Sequence, residues 1–124
     1  MSERLYYEEH TWVNVEGDEV TVGLTDYAQN EMGDIIYAEL PEAGSTMTEG
    51  QPFATIESAK AVQDVIAPVS GKVVGHNDEV LDVPELINEE PYGGGWLVTV
   101  APGPDFDPGQ LMDEGQYDQF LSEQ

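Results

Sequence analysis

The chain has 124 residues, 40% of them apolar, and sets 26 acidic against three basic side chains for a formal net charge of −23. That length bounds one domain with one core, and acids spread along an apolar-rich chain describe the solvated surface of a folded protein, not a disordered acidic tail. The charge excludes nucleic acid and anionic membranes as partners, since both need clustered Lys and Arg, and the absence of cysteine excludes disulfides and protein-borne thiol chemistry.

The start, MSERLYYEEH, lacks the basic segment and apolar run of a secretion signal, and no apolar run approaches the roughly 18 residues of a membrane span. A cytoplasmic protein is expected. Self-repulsion on this scale is relieved in concentrated salt, where the screening length falls from about 30 Å at 0.01 M to about 3 Å at 1 M, so the expected cytoplasm is salt-adapted.

In chain order, Val13 and Val15, the turn Glu16-Gly17-Asp18-Glu19, then Val20, Val22 and Leu24 at every second position predict a β-hairpin. Thr25 is placed to cap a short helix in which Leu24, Ala28 and Met32 repeat every four residues, with Gly33 as its stop. Asp34 to Leu40 is β-rich and ends at Pro41, and turn residues then flank a short strand near Thr46 to Thr48. Thr55 to Ile66 fits two readings. Ile56, Ala59, Val62 and Ile66 share one helical face, but Pro52 and Pro68 flank the segment and its ends are β-prone, which favours a hairpin with Lys60 at its tip and a type I turn over Ala59-Lys60. Val69 to Gly71 reads as a turn, Lys72 to Val74 as a strand, PELINEEPYGGG as a long irregular connection and Trp96 to Val100 as the last strand. Asp107 as cap, Pro108 at the first helical position, and Tyr117, Phe120 and Leu121 at helical spacing predict one or two closing helices.

Lys60 is one of only two lysines, the other being Lys72. Its neighbours Glu57 and Asp64 are acids, whereas a catalytic amine is usually desolvated or set beside another cation, neither of which the local sequence supplies. A solvated surface lysine is the ordinary alternative, but a chain this depleted of Lys gives no random reason to retain one. A protruding attachment point for an acyl cofactor fits better, because it needs exposure and not a lowered pKa. Metal binding is poorly supported, since His10 and His76 lie far apart in sequence and no Cys or His-x-x-x-His spacing exists. With 26 acids, paired carboxylates arise by chance and assign no acid-base site. Gly93-Gly94-Gly95 lacks the ending of a phosphate loop, and Asp26 and Glu31 on the first helix read as solubilising charge.

Several motifs in order carry a resemblance: HTWV (10–13), VGLTDYAQ (22–29), GDIIYAELP (33–41), ESAKA (57–61), APVSGKVV (67–74) and PELINEEPYGGGW (84–96). Over nearly its whole length the chain resembles the H proteins of the glycine cleavage system. The resemblance implies a mainly β, lipoyl/biotinyl-like barrel-sandwich hybrid of two small antiparallel sheets, with a short helix after the N-terminal hairpin and a C-terminal helix. Residues 1–124 would form one lipoyl-carrier domain, with the lipoyl hairpin at about 52–67 and the helical segment at about 107–122. It implies lipoate on the Lys60 ε-amine, carried by a chain that is not itself an enzyme. In such a system the arm's disulfide accepts the aminomethyl group of glycine at a decarboxylase (P protein) and delivers it to an aminomethyltransferase (T protein). A dihydrolipoyl dehydrogenase (L protein) then reoxidises the dithiol.

The resemblance further implies a surface cleft for the loaded arm, around Glu9, Thr11 and Asp64. Many family members have glutamate where this chain has Thr11 and serine where it has Glu9, so a carboxylate has changed sides. Glu57 and Ser58 are the positions expected to guide a lipoate ligase or lipoyl synthesis enzymes. Two rivals stand beside this reading: a lipoyl relay that hands lipoate to other carriers without glycine turnover, and an unmodified interaction or storage domain.

Overall fold

The computed structural model describes residues 3–104, 106 and 108–123, the side chains of Glu3 and Pro108 excepted. Alternating valines form the expected hairpin: β2 (Thr11–Glu16) and β3 (Glu19–Leu24) pair with Val13 opposite Val22 and Val15 opposite Val20, turning at Gly17 with φ 63°. Helix α1 (Asp26–Met32) follows, capped by the Thr25 side chain on the Ala28 N–H and ended by Gly33 at φ 81°. Strands β4 (Ile35–Glu39), β5 (Thr46–Met47), β6 (Pro52–Ser58), β7 (Val62–Ile66), β8 (Gly71–His76) and β9 (Val98–Pro102) come next, and the segment over which helix and hairpin competed is the β6–β7 hairpin.

Two differences from the sequence reading have physical causes. An additional strand, β1 (Glu3–Tyr7), pairs with β2; its motif LYY gave no alternation to read, and burial of Leu5 and Tyr6 fixes it. After β8, in a stretch given no element from the sequence, lies α2 (Asp78–Asp82), capped by Asn77 on the Glu79 N–H, and the PELINEEPYGGG connection is not wholly irregular, since it holds α3 (Leu86–Glu89). Each is only about one turn, too short for a 3.6-residue pattern to show, and each is held by one fully buried residue, Val80 or Ile87. At the C-terminus, the Asp107 cap lies outside the described residues. A 3₁₀ turn spans Pro108–Gln110, and α4 (Glu114–Ser122) starts at Asp113, which with Gln116 closes a capping box.

All strand pairs are antiparallel, in a six-stranded sheet ordered β1-β2-β3-β9-β8-β5 and a three-stranded sheet ordered β4-β6-β7. One core cluster joins them. Val13, Val22, Val73 and Val100 come from the larger sheet and Ile35, Ala38, Ile56 and Val65 from the smaller. Burying each of these valines and isoleucines contributes about 1.5–3 kcal/mol, and this is what fixes the small sheet against the large one and sets the β6–β7 tip in place. The result is the mainly β, two-sheet architecture with short helices that the resemblance implies.

Candidate functional site

The lysine loop is built by a serine. The Ser58 N–H donates to the Ala61 carbonyl (2.8 Å), and the Ser58 hydroxyl accepts from the N–H groups of Lys60 (3.2 Å) and Ala61 (3.1 Å). Ser58 is buried, so its hydroxyl does inside the tip what solvent would do outside it. Neither Ala59 nor Lys60 has positive φ, which excludes a primed turn. Lys60 itself is exposed, and among the described residues no carboxylate lies within ion-pair distance of its ammonium.

A second layer holds the tip from below. The Ala59 N–H donates to the Asp34 carbonyl (3.1 Å), tying the loop to the segment that follows α1. Asn88, on α3, stitches that segment: its amide donates to the Gly33 carbonyl and to Gln29 Oε1 (2.9 Å each), and its Oδ1 accepts from the Ile35 N–H (2.8 Å). Gly33 also gives the lysine stem its path, since a Cβ there would sit 3.0 Å from Lys60 Cε. The sequence placed Gly33 only as a helix stop and gave Asn88 no role; the motif NEEPY was visible, its contacts across more than 50 residues were not.

Beside the tip, between α1 and β7, lies a cleft of about 220 Å³. Leu24, Ala28, Met32 and Val65 make an apolar wall, Glu9, Glu31, Gln63 and Asp64 a polar rim, and His10 and Tyr27 an aromatic pair with ring centroids 4.7 Å apart. The structure thus brings Glu9 and Asp64 to one cleft and leaves Thr11 outside its lining. Thr11 is fully buried and its hydroxyl points to the Ile66 carbonyl (3.4 Å), joining β2 to the end of the lysine hairpin. Glu31, read as solubilising, lines the cleft instead. Asp26 has a local task, its carboxylate accepting from Gln29 Nε2 (2.7 Å) while its N–H donates to the Tyr92 hydroxyl (2.9 Å). Glu31 was findable, because it lies four residues after Tyr27 on the same helix and next to buried Met32.

His10 has φ 67°, the one non-glycine residue in the left-handed region among those described. Its Nδ1 lies 2.8 Å from the Tyr117 hydroxyl, which also meets the Thr25 hydroxyl at 2.8 Å, so the cleft is pinned to α4. Burial holds His10 below its usual pKa, with Glu9 and Glu31 pulling the other way. Burial pushes the Tyr117 phenol up to about 12 despite the Thr25 hydrogen bond. His76 takes no part, its ring lying between the Pro41 carbonyl (3.1 Å) and Asp78 (3.0 Å). Among the described residues no helix is long and apolar enough to cross a membrane.

An exposed lysine on a braced hairpin, next to an apolar cleft with carboxylates on its rim, suits a group tethered through that lysine. Residues 4–124 match the family model described as glycine cleavage H-protein. A glycine cleavage system H protein of Halalkalibacterium halodurans is 46% identical over 123 residues, covering 99% of this chain and 96% of that one. One from Bacillus cereus is 49% identical over 117 residues, covering 94% and 85%. The crystal structure of a glycine cleavage system H protein from Mycobacterium marinum superposes with a TM-score of 0.88 at 36% identity, covering 97% of both chains. The chain therefore belongs to the glycine cleavage H-protein family, and its role is that of a lipoyl carrier of the glycine cleavage system.

Proposed function

We propose that Lys60 carries the lipoyl group as an amide on its ε-nitrogen, and that residues 1–124 act as one non-catalytic carrier domain. The observation that carries this is the geometry of the tip: the lysine is exposed, free of ion pairs among the described residues, and mounted on a loop whose N–H groups at 59–61 are fixed by the Asp34 carbonyl and the Ser58 hydroxyl. Bound lipoate supplies a redox-active, group-accepting disulfide, which a chain without cysteine lacks. The residues present fit such a group. The wall of Leu24, Ala28, Met32 and Val65 shelters apolar atoms, and the carboxylates of Glu9, Asp64 and Glu31 are acceptors for a cationic amine at the rim. Thr11 acts one step back, by holding Ile66 and so the β7 edge of the cleft.

On this reading the partners are the P, T and L proteins, with a lipoate ligase or lipoyl synthesis enzymes acting first. Glu57, on the outer face of the hairpin, serves recognition by the acylating enzyme, and Ser58 shapes the loop that enzyme receives. The acidic surface suits a salt-adapted cytoplasm and partners with basic docking faces. Intact-mass analysis of protein purified from its own cell tests the attachment: a lipoyl increment on wild type that vanishes in Lys60→Ala is expected. No increment, or one that survives the substitution, overturns it. Glycine-bicarbonate exchange with the cognate P protein separates glycine cleavage from a relay role: fully lipoylated protein that supports no exchange would favour the relay.

A further inference from the structure

Three of the six large apolar side chains exposed among the described residues, Ile36 (54%), Tyr37 (53%) and Val62 (62%), belong to the small sheet that carries Lys60. The strand register aligns two of them. Tyr37 stands opposite Glu57 and Glu57 opposite Val62, so they form one row across the outer face of β4-β6-β7, at the root of the Ser58–Ala61 turn. Tyr37 and Val62 are two strand spacings apart, about 10 Å. The next row is Glu39, Thr55 and Asp64. Two uncovered apolar groups are thus bracketed by three carboxylates, Glu39, Glu57 and Asp64. Charge on this chain is almost all acidic, and an apolar pair kept bare beside one of its two lysines marks a contact surface.

We infer that the Tyr37–Glu57–Val62 row is the docking face for the enzyme that acylates Lys60, whose complementary surface is an apolar recess rimmed by Lys and Arg. This rests on the reading of Lys60 as the lipoylated residue. The occupant follows from reach. Acylation joins the Lys60 nitrogen to the carbonyl carbon of an activated acyl donor, an acyl adenylate: the new C–N bond forms, the bond from carbonyl carbon to phosphate oxygen breaks, AMP leaves and the amine gives up a proton. Before that step the lysine offers only its own four-carbon stem, so the enzyme must press flush against the residues at the root of the loop. Enzymes that work on the far end of the finished arm stand off by its length and do not need this row. Charge points the same way, since the face offers carboxylates around its apolar pair and calls for a cationic rim opposite.

The test is steady-state acylation of unmodified protein by a purified lipoate ligase with lipoate and ATP, followed by intact mass. For the double variant Tyr37→Ser/Val62→Thr the expected result is about a tenfold rise in KM with kcat retained, the loss of one anchor at an interface. Its melting temperature should match wild type, and Val74→Thr, an exposed apolar residue of the larger sheet, should acylate normally. An unchanged KM in the double variant, or an equal loss in Val74→Thr, overturns the docking face while leaving the Lys60 assignment intact. Failure of wild type to take a lipoyl increment at Lys60 overturns the reading beneath it. A second arm uses both proteins after exhaustive acylation: reduction of the arm's disulfide to the dithiol by dihydrolipoyl dehydrogenase, with NADH supplying the two electrons, should be equal, and a matching loss there would overturn the assignment to the acylating enzyme.

Discussion

Two groups of aromatic and apolar side chains are treated in opposite ways. Around β1, β2 and α4, Tyr6 and Tyr117 stack at 4.8 Å and are each 3% exposed, Arg4 sits 4.0 Å over the Tyr92 ring, and Trp12 donates to the Pro91 carbonyl at 2.9 Å. Each polar tip there has a partner, as burial of such rings requires. On the lysine sheet, Tyr37 is half exposed and among the described residues its hydroxyl has no partner. The first group converts aromatic area into stability, whereas the second leaves it for another molecule. Stability and carriage therefore occupy separate residues, and substitutions should separate them.

The largest effect is expected at Trp12. Its ring lies over Gly23, where a Cβ would come within 2.7 Å, and its removal leaves a cavity and an unpaired Pro91 carbonyl. Trp12→Ala should cost about 3–5 kcal/mol in urea unfolding at high salt. Asn88→Ala comes next. It strips partners from Gly33, Gln29 and the Ile35 N–H at once, for about 2–3 kcal/mol, and it links the two regions because Asp34 holds the tip. Amide exchange should quicken at Ile35 and Ala59; protection unchanged at Ala59 would show that the brace does not reach the lysine loop.

Tyr117→Phe removes the hydroxyl shared by His10 and Thr25 and should cost about 1–2 kcal/mol. It also has a pH signature. The folded phenol titrates near 12 and the unfolded one near 10, so its contribution is complete below pH 10 and is lost as pH rises through 12. Thermal melts between pH 9 and 11 should slope downward more steeply in wild type than in Tyr117→Phe. On the acid side, burial holds the His10 pKa down, so its neutral form stabilises the fold above about pH 6.5 and this is lost as pH falls below that value. His10→Asn, which tolerates the same positive φ, should flatten that limb.

How much of this was legible follows from how far each cause reaches along the chain. The β2–β3 hairpin and the Thr25–Gly33 helix were readable because alternation, cap and stop are local. The β6–β7 hairpin was readable only as a balance, since Ile56, Ala59, Val62 and Ile66 satisfy a helical period as well; tertiary pairing of Ile56 with Gln63 and Ala38 decided it. Lys60 stands out by composition, and the resemblance carried by the family motifs is what implies lipoylation there. The cleft was only half visible. Glu9 and Asp64 follow from the resemblance, but Glu31 reads in the sequence as one acid among many, and the contact of the buried Thr11 hydroxyl with the Ile66 carbonyl spans 55 residues. Asn88 could not be read at all, because its three contacts lie 53 to 59 residues away.

The smallest stability effect belongs to the other half of the comparison. Tyr37→Ser and Val62→Thr remove side chains that are more than half in water, so each should change unfolding free energy by no more than about 0.5 kcal/mol. Val62→Thr keeps the β-branched shape that suits a strand, and serine at position 37 sits beside a bulge between Ile35 and Tyr37 where strand packing matters least. If urea midpoints of these variants fall as far as that of Tyr117→Phe, the row is part of the fold and the contrast between the two regions fails. If they hold while acylation slows, the outer face of the small sheet is kept apolar for a partner. Lys60 is then presented by a surface as well as by a loop.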